Sequence, residues 1–254
     1  MNRQDKQLGR IVSVCVATLT LGAALAAAPA SSEVDPGSAQ SPVDLRRSQI
    51  TFVNHLPAIR FSYPRKADVT LNNTGSPDEE ATVRAEVPAG TASITLSGTK
   101  YTLQQFHWHT PAEHEINGRR SPMEMHLVHG AADGSLLVIG VLIEQGRTNG
   151  VLAPIFAALP ETAGTTRPVR GIRIDHLLPD EMSSYRYMGS LTTPPFTEGV
   201  RWIVLAHPIT LSKHQINAFR ELFHEGNSRE VQPLNGRKVL SDAGRRDHRG
   251  EHDA

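Results

Sequence analysis

The chain has 254 residues, 39% of them apolar, with 26 basic and 26 acidic side chains. That balance leaves no electrostatic footprint for nucleic acid. Cys15 is the only cysteine, which excludes a disulfide framework and a cysteine-rich metal site.

Arg3, Lys6 and Arg10 precede an Ala-rich apolar run from Ile11 to Ala28, and Ala28-Pro29-Ala30 is a fitting cleavage site. This pattern predicts a secretory signal peptide over residues 1–30. An uncleaved membrane anchor is the competing reading. The run has borderline length for that role, and its Ser, Thr and small residues weaken it. Cleavage removes Cys15 and leaves a periplasmic or secreted protein with no membrane attachment and no disulfide. The remaining length suits one domain, placed at 31–240.

From Ser48 onward the chain carries short runs rich in β-branched residues. They are 59–63, 68–71, 82–87, 93–96, 103–109, 124–129, 136–143 and 202–205. Asn72-Asn73-Thr74-Gly75, Ser97-Gly98 and Asp133-Gly134 supply turns between them. Helix signals are few. One covers 150–159. Another covers 212–223, with Ser212 as N-cap and Ile216, Phe219, Leu222 and Phe223 at helical spacing. Residues 241–254 are charged and nearly free of apolar side chains, which predicts a disordered tail. The fold class expected is mainly β (α+β): a single domain around a large, mostly antiparallel twisted sheet with a few short helices.

The chemistry concentrates in Gln105-Phe106-His107-Trp108-His109 and in Glu124-Met125-His126-Leu127-Val128-His129. On a strand, Gln105, His107 and His109 share one face, with successive members about 7 Å apart, and Phe106 and Trp108 take the other. A neighbouring strand about 5 Å away can bring His126 to the same place. Three imidazoles converging on a rigid sheet suit Zn²⁺, which takes three protein ligands and keeps a fourth position for water. Being neutral, they leave the full charge on the metal, so that the bound water ionises near pH 7. A metal-bound His donates its second N–H to an acceptor. Gln105 and Glu124 each stand two residues before a proposed ligand, and the apolar neighbours of Glu124 favour a buried partner over an exposed carboxylate.

A second signature is Gly189-Ser190-Leu191-Thr192-Thr193-Pro194-Pro195, read as a rigid loop. Alone, such a loop is more often a structural turn. A Thr held in it could also orient a hydroxide, if an acceptor such as Glu113 fixed its own proton.

Together these segments resemble the alpha-class carbonic anhydrases, particularly the exported bacterial ones. The resemblance also rests on Gln40-Ser41-Pro42-Val43-Asp44-Leu45, Glu113-His114, Glu198–Trp202 and Asn227–Arg237, and covers roughly 40–237. It implies a largely antiparallel sheet of about ten strands and reversible hydration of carbon dioxide to bicarbonate. It implies His107, His109 and His126 as zinc ligands, held by Gln105, the Asn227 carbonyl and Glu124. Thr192 would orient the hydroxide and donate its proton to Glu113. Val128, Val138, Leu191 and Trp202 would form the apolar wall for carbon dioxide, with Thr193 on the polar side. A homodimer is left open.

Three features depart from the family pattern. The aromatic N-terminal segment, with its pocket Tyr, is missing. Phe196 stands where exported bacterial members often carry a cysteine, and that cysteine's partner is missing too. The proton-carrying His aligns with Thr74 or Ala81, neither of which titrates near neutral pH, so no proton shuttle is identified. His114 and His129 read as structural groups, and the other histidines lack a ligand-like context. The alternative functions are a catalytically silent zinc-binding relative of these enzymes and a zinc-storing module.

Overall fold

The structure, a computed structural model, describes residues 37–75 and 81–244. The segment read as a signal peptide, the acidic insertion at 76–80 and residues 245–254 of the tail lie outside the described residues.

In chain order the strands are β1 (Asp44–Leu45), β2 (Ile50–Phe52), β3 (Ile59–Ser62), β4 (Ala67–Asn73), β5 (Val83–Glu86), β6 (Ser93–Leu96), β7 (Thr99–His109), β8 (Glu115–Ile116), β9 (Arg119–Arg120), β10 (Met123–Ala131), β11 (Leu136–Gln145), β12 (Thr166–Ile172), β13 (Ser184–Ser190), β14 (Glu198–Leu211) and β15 (Val239–Ser241). Two α-helices join them, α1 (Ala153–Phe156) and α2 (Lys213–Arg220). Twelve strands form one sheet. Ten follow the order β12-β4-β5-β7-β10-β11-β14-β13-β15-β2, and β3 and β6 pair beside β7. The β11–β14 and β15–β2 pairs are parallel and the rest antiparallel. This is the large, mostly antiparallel sheet expected from the sequence.

Alternation along the central strands sorts the side chains by face. On one face Phe106 and Trp108 enter the main core, where Trp108 meets Phe156 and Phe219 with ring centroids 5.5 and 6.3 Å apart. The opposite face carries a smaller core that includes Val128, Val138, Tyr187 and Trp202, beside the three histidines.

Four elements differ from the sequence reading. The helix expected over 150–159 shrinks to α1, because Asn149 Oδ1 accepts the Val151 and Leu152 N–H groups at 3.0 and 3.1 Å and folds that stretch into a turn. Strand β12 carried no β signal strong enough among its arginines, Pro168 and Gly171. Strand β13 runs to Ser190, so Gly189 and Ser190 belong to a strand rather than to the loop that follows. The ordered domain also runs past residue 240. Ser241 pairs with Tyr185 in β13, Asp242 Oδ1 accepts the Ser184 N–H at 2.8 Å, and Ala243 is buried.

Helix α2 begins as the sequence indicates. Ser212 Oγ accepts the Gln215 N–H at 3.2 Å, and Gln215 Oε1 accepts the Ser212 N–H at 3.1 Å. This reciprocal cap satisfies two amide groups at the helix end. Replacing Ser212 by Ala is expected to lower stability by about 1 kcal/mol, read as a shift in the denaturant midpoint with an unchanged slope.

Candidate metal centre

Register, more than any single residue, assembles the site. Two rows run straight across the sheet. In the first, Arg84, His107, His126, Gly140, Val204 and Tyr185 are successive cross-strand partners. In the second, the partners are Glu86, Gln105, Val128, Val138, Trp202 and Tyr187. Direct partners share a face, so the first row puts His107 beside His126, and His109 joins them two residues along β7. The ring centroids of the three histidines lie 4.6–5.2 Å apart. One ring nitrogen from each lies within 4.8 Å of the others.

Each imidazole is oriented by an acceptor. His107 Nδ1–H donates to Gln105 Oε1 at 2.7 Å, and His109 Nδ1–H donates to the Asn227 carbonyl at 3.0 Å. His126 Nε2 lies 3.0 Å from Glu124 Oε1. A carbonyl or carboxylate oxygen can only accept, so these partners place the protons on His107 Nδ1, His109 Nδ1 and His126 Nε2. The opposite nitrogens therefore carry lone pairs. Burial pushes His126 down to about 3, against the pull of the Glu124 carboxylate, so it is neutral at pH 7. Three buried imidazoles, each with one ring nitrogen engaged by an acceptor and the three remaining nitrogens close together, fit a divalent zinc-like ion and suit neither a hard oxygen-loving cation nor an anion.

Asn227 is itself locked. Its Oδ1 accepts the Thr110 N–H at 2.7 Å, and its Nδ2 donates to the carbonyls of Ala81 and Trp108, both at 2.9 Å. Glu124 is the hub of a larger network. Its Oε2 accepts the backbone N–H groups of Glu113 and His114 at 2.9 and 2.8 Å, and its Oε1 meets His114 Nδ1 at 2.8 Å. Burial alone would raise this carboxyl, but His114 and His126 beside it hold it well below the usual carboxylate range. Gly140 makes the room, since a Cβ there would stand 2.7 Å from Glu124 Oε1.

The expected pocket residues come together. Val128, Val138, Leu191, Thr192, Thr193 and Trp202 line one cavity of about 310 Å³ with Gln105, His107 and His126. The cavity is apolar at one end and polar at the other because the second row changes character along its length, from Glu86 and Gln105 to Val128, Val138 and Trp202. Thr192 is on the cavity wall and Glu113 is buried beneath the histidines, with its Oε1 3.6 Å from His109 Nδ1 and its Oε2 3.9 Å from His126 Nδ1. Glu113 Oε1 also accepts the Arg229 N–H at 2.8 Å. No Thr192–Glu113 hydrogen bond is present among those of the described residues. Thr74 bonds to the Thr82 backbone and Ala81 is tied to Asn227, so neither lines the cavity. Arg84 and Glu86 do line it. Sequence reading did not single them out, although their i, i+2 spacing on a strand beside β7 was a usable signal.

A buried relay was also missed. His114 Nε2 lies 2.7 Å from Tyr187 Oη, which lies 2.9 Å from Ser41 Oγ, and Ser41 Oγ accepts the Ser190 N–H at 3.1 Å. This joins Glu124 to the strand leading into Leu191–Thr193. Gly189 permits it, since a Cβ there would stand 2.1 Å from Ser41 Oγ. The N-terminal segment is fastened nearby. Glu198 Oε1 accepts the Ala39 N–H at 2.6 Å and Gln40 Nε2 at 3.0 Å, and the Arg229 guanidinium sits 3.7 Å from the Phe196 ring centre.

A family model described as eukaryotic-type carbonic anhydrase matches residues 30–243. A carbonic anhydrase of Klebsiella pneumoniae is 42% identical over 206 residues, 80% of each chain. One of Neisseria gonorrhoeae is 40% identical over 204 residues, 80% of this chain and 77% of its own. Among solved structures, the alpha-carbonic anhydrase of Thermovibrio ammonificans, in complex with the inhibitor sulfanilamide, matches with a TM-score of 0.75 at 36% identity. That match covers 81% of this chain and 88% of the other.

Gly140→Ala forces the new methyl against the carboxylate that holds His126. It is expected to cost about 1–3 kcal/mol of stability through overpacking and about 10–100-fold in metal affinity through the displaced acceptor. Thermal melts and competitive metal titration check the two effects separately.

Proposed function

The chain belongs to the eukaryotic-type carbonic anhydrase family, and on that premise we propose that His107, His109 and His126 hold one Zn²⁺ at which carbon dioxide is hydrated. The reaction is CO₂ + H₂O ⇌ HCO₃⁻ + H⁺, and the enzyme is a carbonic anhydrase, a lyase. The observation that carries the zinc assignment is the set of three buried imidazoles whose protons are fixed outward and whose lone pairs converge. When bound, the metal acidifies water so that a hydroxide nucleophile is available near pH 7.

The residues then divide the work. Val128, Val138, Leu191 and Trp202 offer a nonpolar substrate a surface that competes poorly for water, which suits carbon dioxide. Gln105, Thr192 and Thr193 line the polar side, which suits the bicarbonate product. Gln105, Glu124 and the Asn227 carbonyl keep the imidazoles in one tautomer and one orientation, so the site is arranged before the metal arrives. Thr192 orients the attacking hydroxide through Oγ, with Glu113 as acceptor for the Thr192 hydroxyl proton. The position of Thr192 on the cavity wall and the burial of Glu113 against His109 and His126 support these roles. The charged start and apolar run of residues 1–30 support export to the periplasm or beyond, where the enzyme would exchange carbon dioxide and bicarbonate outside the cytoplasm.

Metal analysis of the purified protein is expected to give one zinc per chain, and His107→Ala to lose both the metal and hydration activity. Stoichiometric zinc and a full rate in that variant would remove His107 from the ligand set.

Thr192→Ala is expected to keep its zinc and slow hydration. Loss of one oriented hydrogen bond at a reacting centre costs about 2–4 kcal/mol. Stopped-flow rates on the zinc-replete variant check this, and an unchanged kcat/KM would take Thr192 out of the mechanism.

A further inference from the structure

Each hydration leaves one proton in the pocket, and the enzyme cannot turn over again until that proton reaches bulk water. The described sequence offers no histidine at the place where the family resemblance would put one. Besides the proposed ligands His107 and His126, the ionisable side chains that line the cavity are Arg84 and Glu86. A guanidinium does not give up its proton in a protein. A carboxylate does.

We propose that Glu86 is the residue that takes the product proton from the pocket and passes it to solvent. The inference rests on the carbon dioxide hydration proposed above. Glu86 is the direct cross-strand partner of Gln105, and His107 is therefore its diagonal neighbour. Diagonal partners have Cα atoms about 7–8 Å apart, a gap that one or two ordered waters bridge by hydrogen bonds. Glu86 is half-buried and lines the same cavity as His107 and Thr192. Its carboxylate has no side-chain hydrogen bond among those of the described residues, and Arg84 is the charge that acts on it.

The groups facing it fit a carrier. Arg84 lies on its own strand. On β4 it faces Thr70 directly and Asp68 and Asn72 diagonally, and on β7 it faces Gln105 directly and His107 diagonally. Asp68 is engaged outward, where its Oδ1 accepts the Gly171 N–H at 2.9 Å. Burial raises the Glu86 carboxyl above its ordinary value, and Arg84 pulls back against that rise. Proton transfer is fastest between groups of matched acidity. A raised carboxyl lies closer to a donor near pH 7, while Arg84 keeps it from staying protonated. The bookkeeping is simple: a pocket water relays its proton to a Glu86 oxygen, that O–H bond breaks toward a buffer base at the mouth, and the carboxylate is restored.

The test uses the zinc-loaded enzyme, Glu86→Gln and Glu86→His. Carbon dioxide hydration is followed at fixed pH and ionic strength over a series of imidazole-buffer concentrations, with kcat and kcat/KM separated. In dilute buffer, Glu86→Gln is expected to lose at least about tenfold in kcat and to keep kcat/KM within about twofold. Added imidazole restores the lost turnover, and Glu86→His restores it without added buffer. An infrared band of protonated carboxyl, present in the wild type and missing in Glu86→Gln, is expected to titrate above the ordinary glutamate value, the direction in which burial moves it. The assignment is overturned if Glu86→Gln matches the wild type at every buffer concentration. It is also overturned if kcat and kcat/KM fall together, or if the band titrates at the ordinary value. A wild type that binds zinc yet hydrates no carbon dioxide at any buffer concentration defeats the hydration reading itself, and that outcome is distinct from the others.

Discussion

A buried carboxylate governs this molecule. Glu124 is fully enclosed, and a charge in that position persists only if donors surround it. It gathers two backbone N–H groups and the rings of His114 and His126, from two separate places in the chain. Satisfying it fixes the turn at Glu113–His114, the ring plane of His126 and the bare backbone at Gly140 together. Removing one of these would leave an uncompensated charge at the centre of the sheet. The arrangement of the histidine cluster is therefore a by-product of an electrostatic constraint that the fold must meet anyway.

The character of the pocket follows from strand order. Adjacent strands contribute Glu86, Gln105, Val128, Val138 and Trp202 to one line, so polarity changes across the sheet at intervals of one strand spacing, about 4.8 Å. A nonpolar molecule and its ionic product can then occupy neighbouring positions without rearrangement of the protein. The parallel β11–β14 pairing matters here, because it sets Trp202 opposite Val138 and encloses the apolar end.

Much of this was legible in the sequence because local periodicity carries it. The alternation Gln105, His107, His109 against Phe106, Trp108 gave the face of each residue, and the cap at Ser212 gave the start of a helix. The proposed ligands and the acceptors Gln105 and Glu124 on β7 and β10 were readable for the same reason. What escaped depends on long-range pairing. Nothing local in Tyr187 or Ser41 indicates that they meet across 146 residues to support His114. Strand β15 is too short to register as a strand, yet its partner β13 holds it in the sheet. Glu86 escaped because its importance comes from the strand opposite, not from its own neighbours.

The fastening of the N-terminal segment has one more consequence. Glu198, Gln40, Phe196 and Arg229 join the entry of the chain to the loop beside the pocket by hydrogen bonds and a guanidinium stacked on a ring. The described residues contain no cysteine. The clasp therefore closes and reopens at the same equilibrium whatever the thiol chemistry around it. Its strength answers instead to salt and to water activity, and closing it calls for no oxidant.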